Sequence, residues 1–136
     1  MAVCLCTPPP QPPQKGVGNV PPVISVIMGT LYRREDIALL QRAVDSILAQ
    51  RFSDWELLIC DDGSSPAARL FLEEVERRDG RIRLIRRGDL LVLPAKLNAC
   101  LRAAEGAYIA RMDDDDFSHP DRLTKQLAFL QAHPDT

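Results

Sequence analysis

The sequence predicts an α/β domain in which a mostly parallel sheet is covered by helices on both faces. Three observations carry that reading. Short apolar runs rich in β-branched residues alternate with longer runs of helical spacing, in the order β-α-β-α-β-α-β-α. The strand runs are apolar at successive positions, as strands buried on both faces require. Glycines or turn residues stand where one period gives way to the next.

The elements follow in order. Residues 23–28 (VISVIM) form a buried strand ended by Gly29. Residues 35–50 place Ile37, Leu40, Val44, Ile47 and Leu48 at helical spacing. Residues 55–60 (WELLIC) make a second strand, opened by a core Trp55 and stopped by Asp61-Asp62-Gly63. Ser65 caps the next helix and Pro66 takes its first turn. That helix runs to about Asp79 with Leu70 and Val75 inward, and Gly80 ends it. Residues 81–86 are a third strand, 94–104 a helix closed by Gly106, and 107–112 a fourth strand that runs into Asp113-Asp114-Asp115-Asp116. Ser118 and Asp121 resemble a capping box before a last helix with Leu123, Leu127 and Leu130 on one face. Residues 1–22 hold seven of the eleven prolines and read as a disordered or polyproline-like leader, so the folded domain is 23–136.

Composition narrows the function. With 17 basic and 19 acidic residues among 136, the net charge of −2 gives no reason to expect a nucleic-acid partner. No apolar run approaches the roughly 20 residues of a membrane helix, and the N-terminus lacks the basic region of a signal peptide. Cys4, Cys6, Cys60 and Cys100 match neither a zinc site nor a disulfide framework, so Cys60 and Cys100 read as buried, reduced thiols. The arginines at 77, 78, 81, 83, 86 and 87 read as a solvated helix end and edge strand, and His119 and His133 as surface or capping residues.

Chemistry concentrates in two acidic clusters, each after a strand. In a parallel sheet both emerge at the carboxyl edge, where such sheets bind ligands. Adjacent carboxylates repel one another unless a cation relieves them. In an extended segment Asp113 and Asp115 face the same way, roughly 6.5 Å apart, and suit one hard cation. The plainer reading is a solvated acidic loop. Asp61-Asp62-Gly63-Ser64 alone is a weak motif; it reads as a turn and cap, or as a carboxylate that accepts from a base N–H or a ribose hydroxyl.

Taken together, VISVIMGT (23–30), SILAQRFSDWELLICDDGSS (46–65), LNACLRAAEGAYIARMDDDD (97–116) and SHPDRLTKQLAFL (118–130) resemble the family 2 glycosyltransferases, which have a Rossmann-like GT-A fold. The resemblance implies transfer of a sugar from a nucleoside diphosphate donor, most often a UDP-sugar, to a glycan or lipid-linked hydroxyl acceptor, with inversion and with Mn2+ or Mg2+. It implies that Asp115 is the direct metal ligand, that Asp113 faces the ribose and the metal shell, and that Asp114 fills the variable position, with the register of the four aspartates open by one. Asp62 resembles the residue that contacts the nucleobase. Thr30 lines the base pocket, and Asn98 lies near the donor. Arg111 fits a variant of the signature. The cellular setting it implies is cytoplasmic polysaccharide assembly at the inner face of the membrane.

Two features depart from the family pattern. Arg33 stands where the loop after the first strand has Asn in a Tyr-Asn pair. The chain also stops at Thr136, short of the half that carries the acceptor site and the catalytic carboxylate, so it is expected to be the donor-binding half alone. Two other readings compete. One is a non-catalytic nucleotide-binding or interaction domain of the same fold. The other is a phosphoaspartate enzyme, disfavoured because the first strand ends in Gly29-Thr30 with no acid.

Overall fold

A computed structural model describes residues 5–6, 20–89 and 92–136. Nine elements appear among them: β1 (Leu5–Cys6), β2 (Ile24–Thr30), α1 (Ala38–Leu48), β3 (Trp55–Asp61), α2 (Pro66–Arg78), β4 (Ile82–Arg86), α3 (Leu93–Ala103), β5 (Tyr108–Arg111) and α4 (Arg122–Ala132). One sheet holds all five strands in the order β1-β5-β2-β3-β4. β5, β2, β3 and β4 are mutually parallel. β1 pairs antiparallel on the outer edge of β5, Leu5 opposite Ala110 and Cys6 opposite Ile109.

Alternation along the strands divides the core between the two faces. Ile24, Val26 and Met28 of β2, with Leu57 and Ile59 of β3, pack against Leu40, Val44 and Ile47 of α1, Ala68, Leu72 and Val75 of α2, and Leu123 and Leu127 of α4. On the other face Ile27, Leu58, Cys60 and Ile109 meet Ala99 and Cys100 of α3. Full burial of each large aliphatic side chain stabilises the fold by roughly 1.5–3 kcal/mol. Trp55 is buried, and the Arg81 guanidinium lies 3.8 Å from its ring centroid.

Four expectations need correction. α2 turns Leu70 outward, 68% exposed, because Ala68, Leu72 and Val75 share the i, i+4, i+7 face and Leu70 lies about 200° from Ala68 around the helix. α1 begins at Ala38 rather than near 35, where the Asp36 carboxylate accepts from the Ala38 N–H at 3.0 Å. Ser118 does not cap α4: Asp121 is the residue before the helix, and the Leu123 N–H is taken by Gln50 Oε1 at 3.1 Å. In the leader, Leu5 and Cys6 form a strand; residues 1–4 and 7–19, on which the rest of that expectation falls, lie outside the described residues.

Candidate functional site at the carboxyl edge of the sheet

The chain turns back on itself at β2. α1 and α2 carry it to β3 and then β4 on one side, and α3 carries it across to β5 on the other. The crevice at the carboxyl ends of the strands is the position at which open α/β sheets hold ligands. Register sets the depth of this crevice. Thr30, Asp61 and Arg86 stand side by side at the ends of β2, β3 and β4. β5 stops with Arg111 opposite Ile27. The aspartates follow immediately.

Asp113 to Asp116 form a turn rather than an extended segment. The Asp116 N–H donates to the Asp113 carbonyl at 3.3 Å. Turn closure removes the alternation on which the facing of Asp113 and Asp115 was argued. Thr30 Oγ1 donates to Asp114 Oδ2 at 2.7 Å, so Asp114 is pinned to the end of β2. Burial raises the Asp114 carboxyl above its ordinary range, the charges of Asp115 and Asp113 push the same way, and the Thr30 bond opposes them. Asp113 is half-buried and pairs with Arg111 at 3.3 Å. Asp115 is exposed; its carbonyl accepts from Arg42 at 3.2 Å. Burial, then Asp113 and Asp115, raise Asp116.

The turn is held from behind by Arg122. Its guanidinium donates to the Arg111 carbonyl and to Ser118 Oγ, both at 2.7 Å. Burial lowers the Arg122 pKa and the Asp116 charge opposes that.

The second cluster is more enclosed. Asp61 and Asp62 are both buried. Asp61 Oδ1 accepts from the Ser64 hydroxyl at 2.5 Å and from the Ser64 N–H at 3.2 Å. The Asp62 N–H donates to the Thr30 carbonyl at 3.3 Å, which ties the two strand ends together. Gly63 takes φ +85°, a left-handed conformation that favours glycine, and lets the chain double back into Ser64 and Ser65. Ser65 Oγ accepts from the Ala68 N–H at 3.2 Å and caps α2 as the sequence predicts. Beside this loop a cavity of about 290 Å3 is lined by Asp61, Asp62 and Gly63 together with Arg69, Arg86, Arg87 and Gly88.

The structure thus brings Thr30, Asp62, Asp113 and Asp115 to one edge. Thr30 is 1% exposed and its hydroxyl is committed to Asp114, so it meets the turn rather than an open pocket. Asn98 is exposed on α3, whose buried residues are Lys96, Ala99 and Cys100. The sequence gives Asp114 only the variable position of the signature and does not single out Arg42, Arg122 or Lys96. Lys96 alone had a local signal, an inward helical position one turn before Cys100.

The donor set suits a hard cation, because carboxylate oxygens are the ligands Mn2+ and Mg2+ take. Among the described residues no group of three His, Cys, Asp or Glu side chains is arranged to hold an ion alone. Among them, too, no helix is long and apolar enough to cross a membrane.

Comparison with known proteins agrees with this geometry. The family model described as glycosyl transferase family 2 matches residues 25–136. EpsE of Bacillus subtilis (strain 168), provisionally named a glycosyltransferase, is 44% identical over 116 residues, which are 85% of this chain and 41% of EpsE. WfgD of Escherichia coli, named a UDP-Glc:alpha-D-GlcNAc-diphosphoundecaprenol beta-1,3-glucosyltransferase, is 31% identical over 108 residues, 79% of this chain and 41% of WfgD. The mannosyltransferase PcManGT from Pyrobaculum calidifontis, solved in complex with GDP-Man and Mn2+, superposes with a TM-score of 0.70 at 20% identity, over 82% of this chain and 33% of that one. The chain spans about two fifths of the length of the two named relatives. A parallel α/β sheet with acidic loops after β3 and β5, matched by the family model over nearly all its folded length, makes this chain a member of glycosyl transferase family 2.

Proposed function

We propose that the carboxyl edge is the donor site of a metal-dependent, inverting glycosyltransferase that takes a nucleoside diphosphate sugar, with UDP as the nucleotide. The sugar passes to the hydroxyl of a glycan or lipid-linked acceptor at the cytoplasmic face of the membrane. One observation carries the reading: Asp62 and the 113–116 turn meet at the crevice beside the end of β2, tied to it through Thr30. The relatives support it by name. WfgD uses a UDP-sugar and PcManGT was solved with a GDP-sugar and Mn2+.

The residues divide the work as follows. Asp62, at the inner end of the crevice, accepts from a base N–H. Asp113 faces the ribose, and Asp115, exposed on the turn, is the ligand offered to the cation. Thr30 and Arg42 act as positioning residues, because one holds Asp114 and the other the Asp115 carbonyl. With one or two carboxylates from the chain, the diphosphate and water complete the shell. The cation, when bound, takes up the negative charge that develops on the departing diphosphate. No described residue is assigned as the base that deprotonates the acceptor. Asn98, on the outer side of α3, is left outside this assignment.

The test is thermal melting with UDP, with Mn2+, and with both. Ligand that binds only the folded state stabilises it by roughly 2.7 kcal/mol at a hundredfold excess over Kd. The expected result is a rise that needs both ligands and is lost in Asp115→Asn, with that variant's own melting unchanged. Equal binding by parent and variant removes Asp115 from the metal site. No shift in a folded parent favours a non-catalytic interaction domain.

A further inference from the structure

α3 presents Lys96, Ala99 and Cys100 to the sheet. A small residue and a thiol suit that place; a lysine does not. Lys96 is 5% exposed. An ammonium withdrawn from water destabilises the fold unless an anion meets it. Elsewhere on the sheet Arg83 has a carboxylate partner in Glu56 and Arg86 in Glu73. Among the described residues Lys96 has none.

The position of its stem is known. A Cβ built on Gly29 would lie 3.2 Å from Lys96 Cβ and 3.6 Å from Cδ. The methylenes therefore cross the second-last residue of β2, and glycine there gives them room. Side chains on a helix lean toward its N-terminus, and for α3 that end lies at the carboxyl edge of the sheet. The Cys60 thiol, second-last in β3, agrees. Burial dominates its raised pKa, and Arg87 and then Lys96 oppose that. Gly29 and Thr30 face opposite sides of the sheet. Lys96 and Asp114 thus approach the end of β2 from opposite faces, one a lone cation and the other part of an acidic turn.

We propose that Lys96 is a donor-positioning residue whose ammonium receives the diphosphate of the nucleotide donor. The inference rests on the donor-site reading above. It also adds positive charge to an edge that carries Asp61, Asp62 and Asp113 to Asp116, beside the Arg69, Arg86 and Arg87 that line the cavity at the Asp61 loop.

Calorimetric titration of the full chain with UDP, uridine and inorganic pyrophosphate, Mn2+ present throughout, tests it. Lys96→Met keeps the apolar stem and removes the charge; Lys96→Arg keeps the charge. The expected result is a loss of about tenfold or more for UDP and pyrophosphate in Lys96→Met, uridine unchanged, and most of the loss restored in Lys96→Arg. Without ligand, Lys96→Met should melt at or above the parent temperature, because a lone buried charge has gone. UDP binding in Lys96→Met equal to that of the parent overturns the proposal and leaves the donor site standing. A fall in melting temperature with all three probes lost also overturns it, since Lys96 would then be structural. Pyrophosphate bound by the parent without UDP or uridine, and lost in Lys96→Met, keeps the anion site and sinks the donor reading. A parent that binds none of the three overturns both.

Discussion

Single residues do more in this fold than their type announces. Gly106 reads in the sequence as a helix stop. In the fold, a Cβ there would lie 2.6 Å from the Ser25 backbone nitrogen and 2.8 Å from the Ile24 carbonyl carbon. Backbone atoms in a central strand cannot step aside. Gly106→Ala is expected to lower stability by about 2–3 kcal/mol in urea unfolding; a change below about 0.5 kcal/mol would mean the turn relaxes freely. Burial pushes the Cys100 thiol up to about 12 and raises Cys60 as well. At pH 8 neither forms much thiolate, so alkylation mapped by mass spectrometry should reach both only after denaturant is added. Modification of the native chain at either would contradict their burial. Asp62→Ala should weaken UDP more than inorganic pyrophosphate in calorimetric titration; equal losses would move Asp62 out of the base pocket.

At the scale of elements, the clamp between α1 and α4 is the feature that periodicity cannot show. Helical spacing predicts both helices, yet not what starts the second. Gln50, just past α1, is 7% exposed. It accepts from the Leu123 N–H at 3.1 Å and donates to the His119 carbonyl at 2.7 Å. Ser46 Oγ accepts from the Ser118 N–H at 3.0 Å. These bonds fix the segment that follows the aspartates and so hold the turn from its far end. Gln50→Ala should cost about 2 kcal/mol, because it strands a helix N–H and a carbonyl in a buried place. Amide exchange at Leu123 should accelerate with it, and unchanged exchange there would show that another group starts α4. The capping-box reading fails for the same reason: the Ser118 N–H donates to Ser46 of α1 and the Leu123 N–H to Gln50, and a local pattern cannot anticipate partners from another element.

Across the whole molecule the sheet is asymmetric. α1, α2 and α4 cover one face and, among the described elements, α3 alone contacts the other. The β5 edge is met by the two residues of β1. Open strand edges are pairing surfaces. Deleting residues 1–20 should lower the melting temperature by a few degrees, as expected for losing a short ladder worth about 1 kcal/mol. It should also give concentration-dependent self-association in sedimentation velocity. A strictly monomeric deletion variant with unchanged melting would show that this edge needs no cover.

Much of the protein is legible before any coordinates. The alternation of apolar runs with helical spacing determines the order of the eight elements after β1, since burial period is a local property of the chain. The same alternation requires parallel strands, and parallel strands put both acidic clusters at one edge. Asp62, Asp113 and Asp115 were therefore within reach of sequence reasoning. Tertiary structure alone decided the rest. Whether the four aspartates extend or turn depends on a hydroxyl 84 residues away, Thr30 on Asp114. Whether Leu70 faces in or out depends on which helical face the sheet selects. Whether Lys96 or Asn98 approaches the site depends on how α3 lies over Gly29. Each of these is a contact between residues far apart in the chain, and local spacing carries no information about which distant group will be opposite.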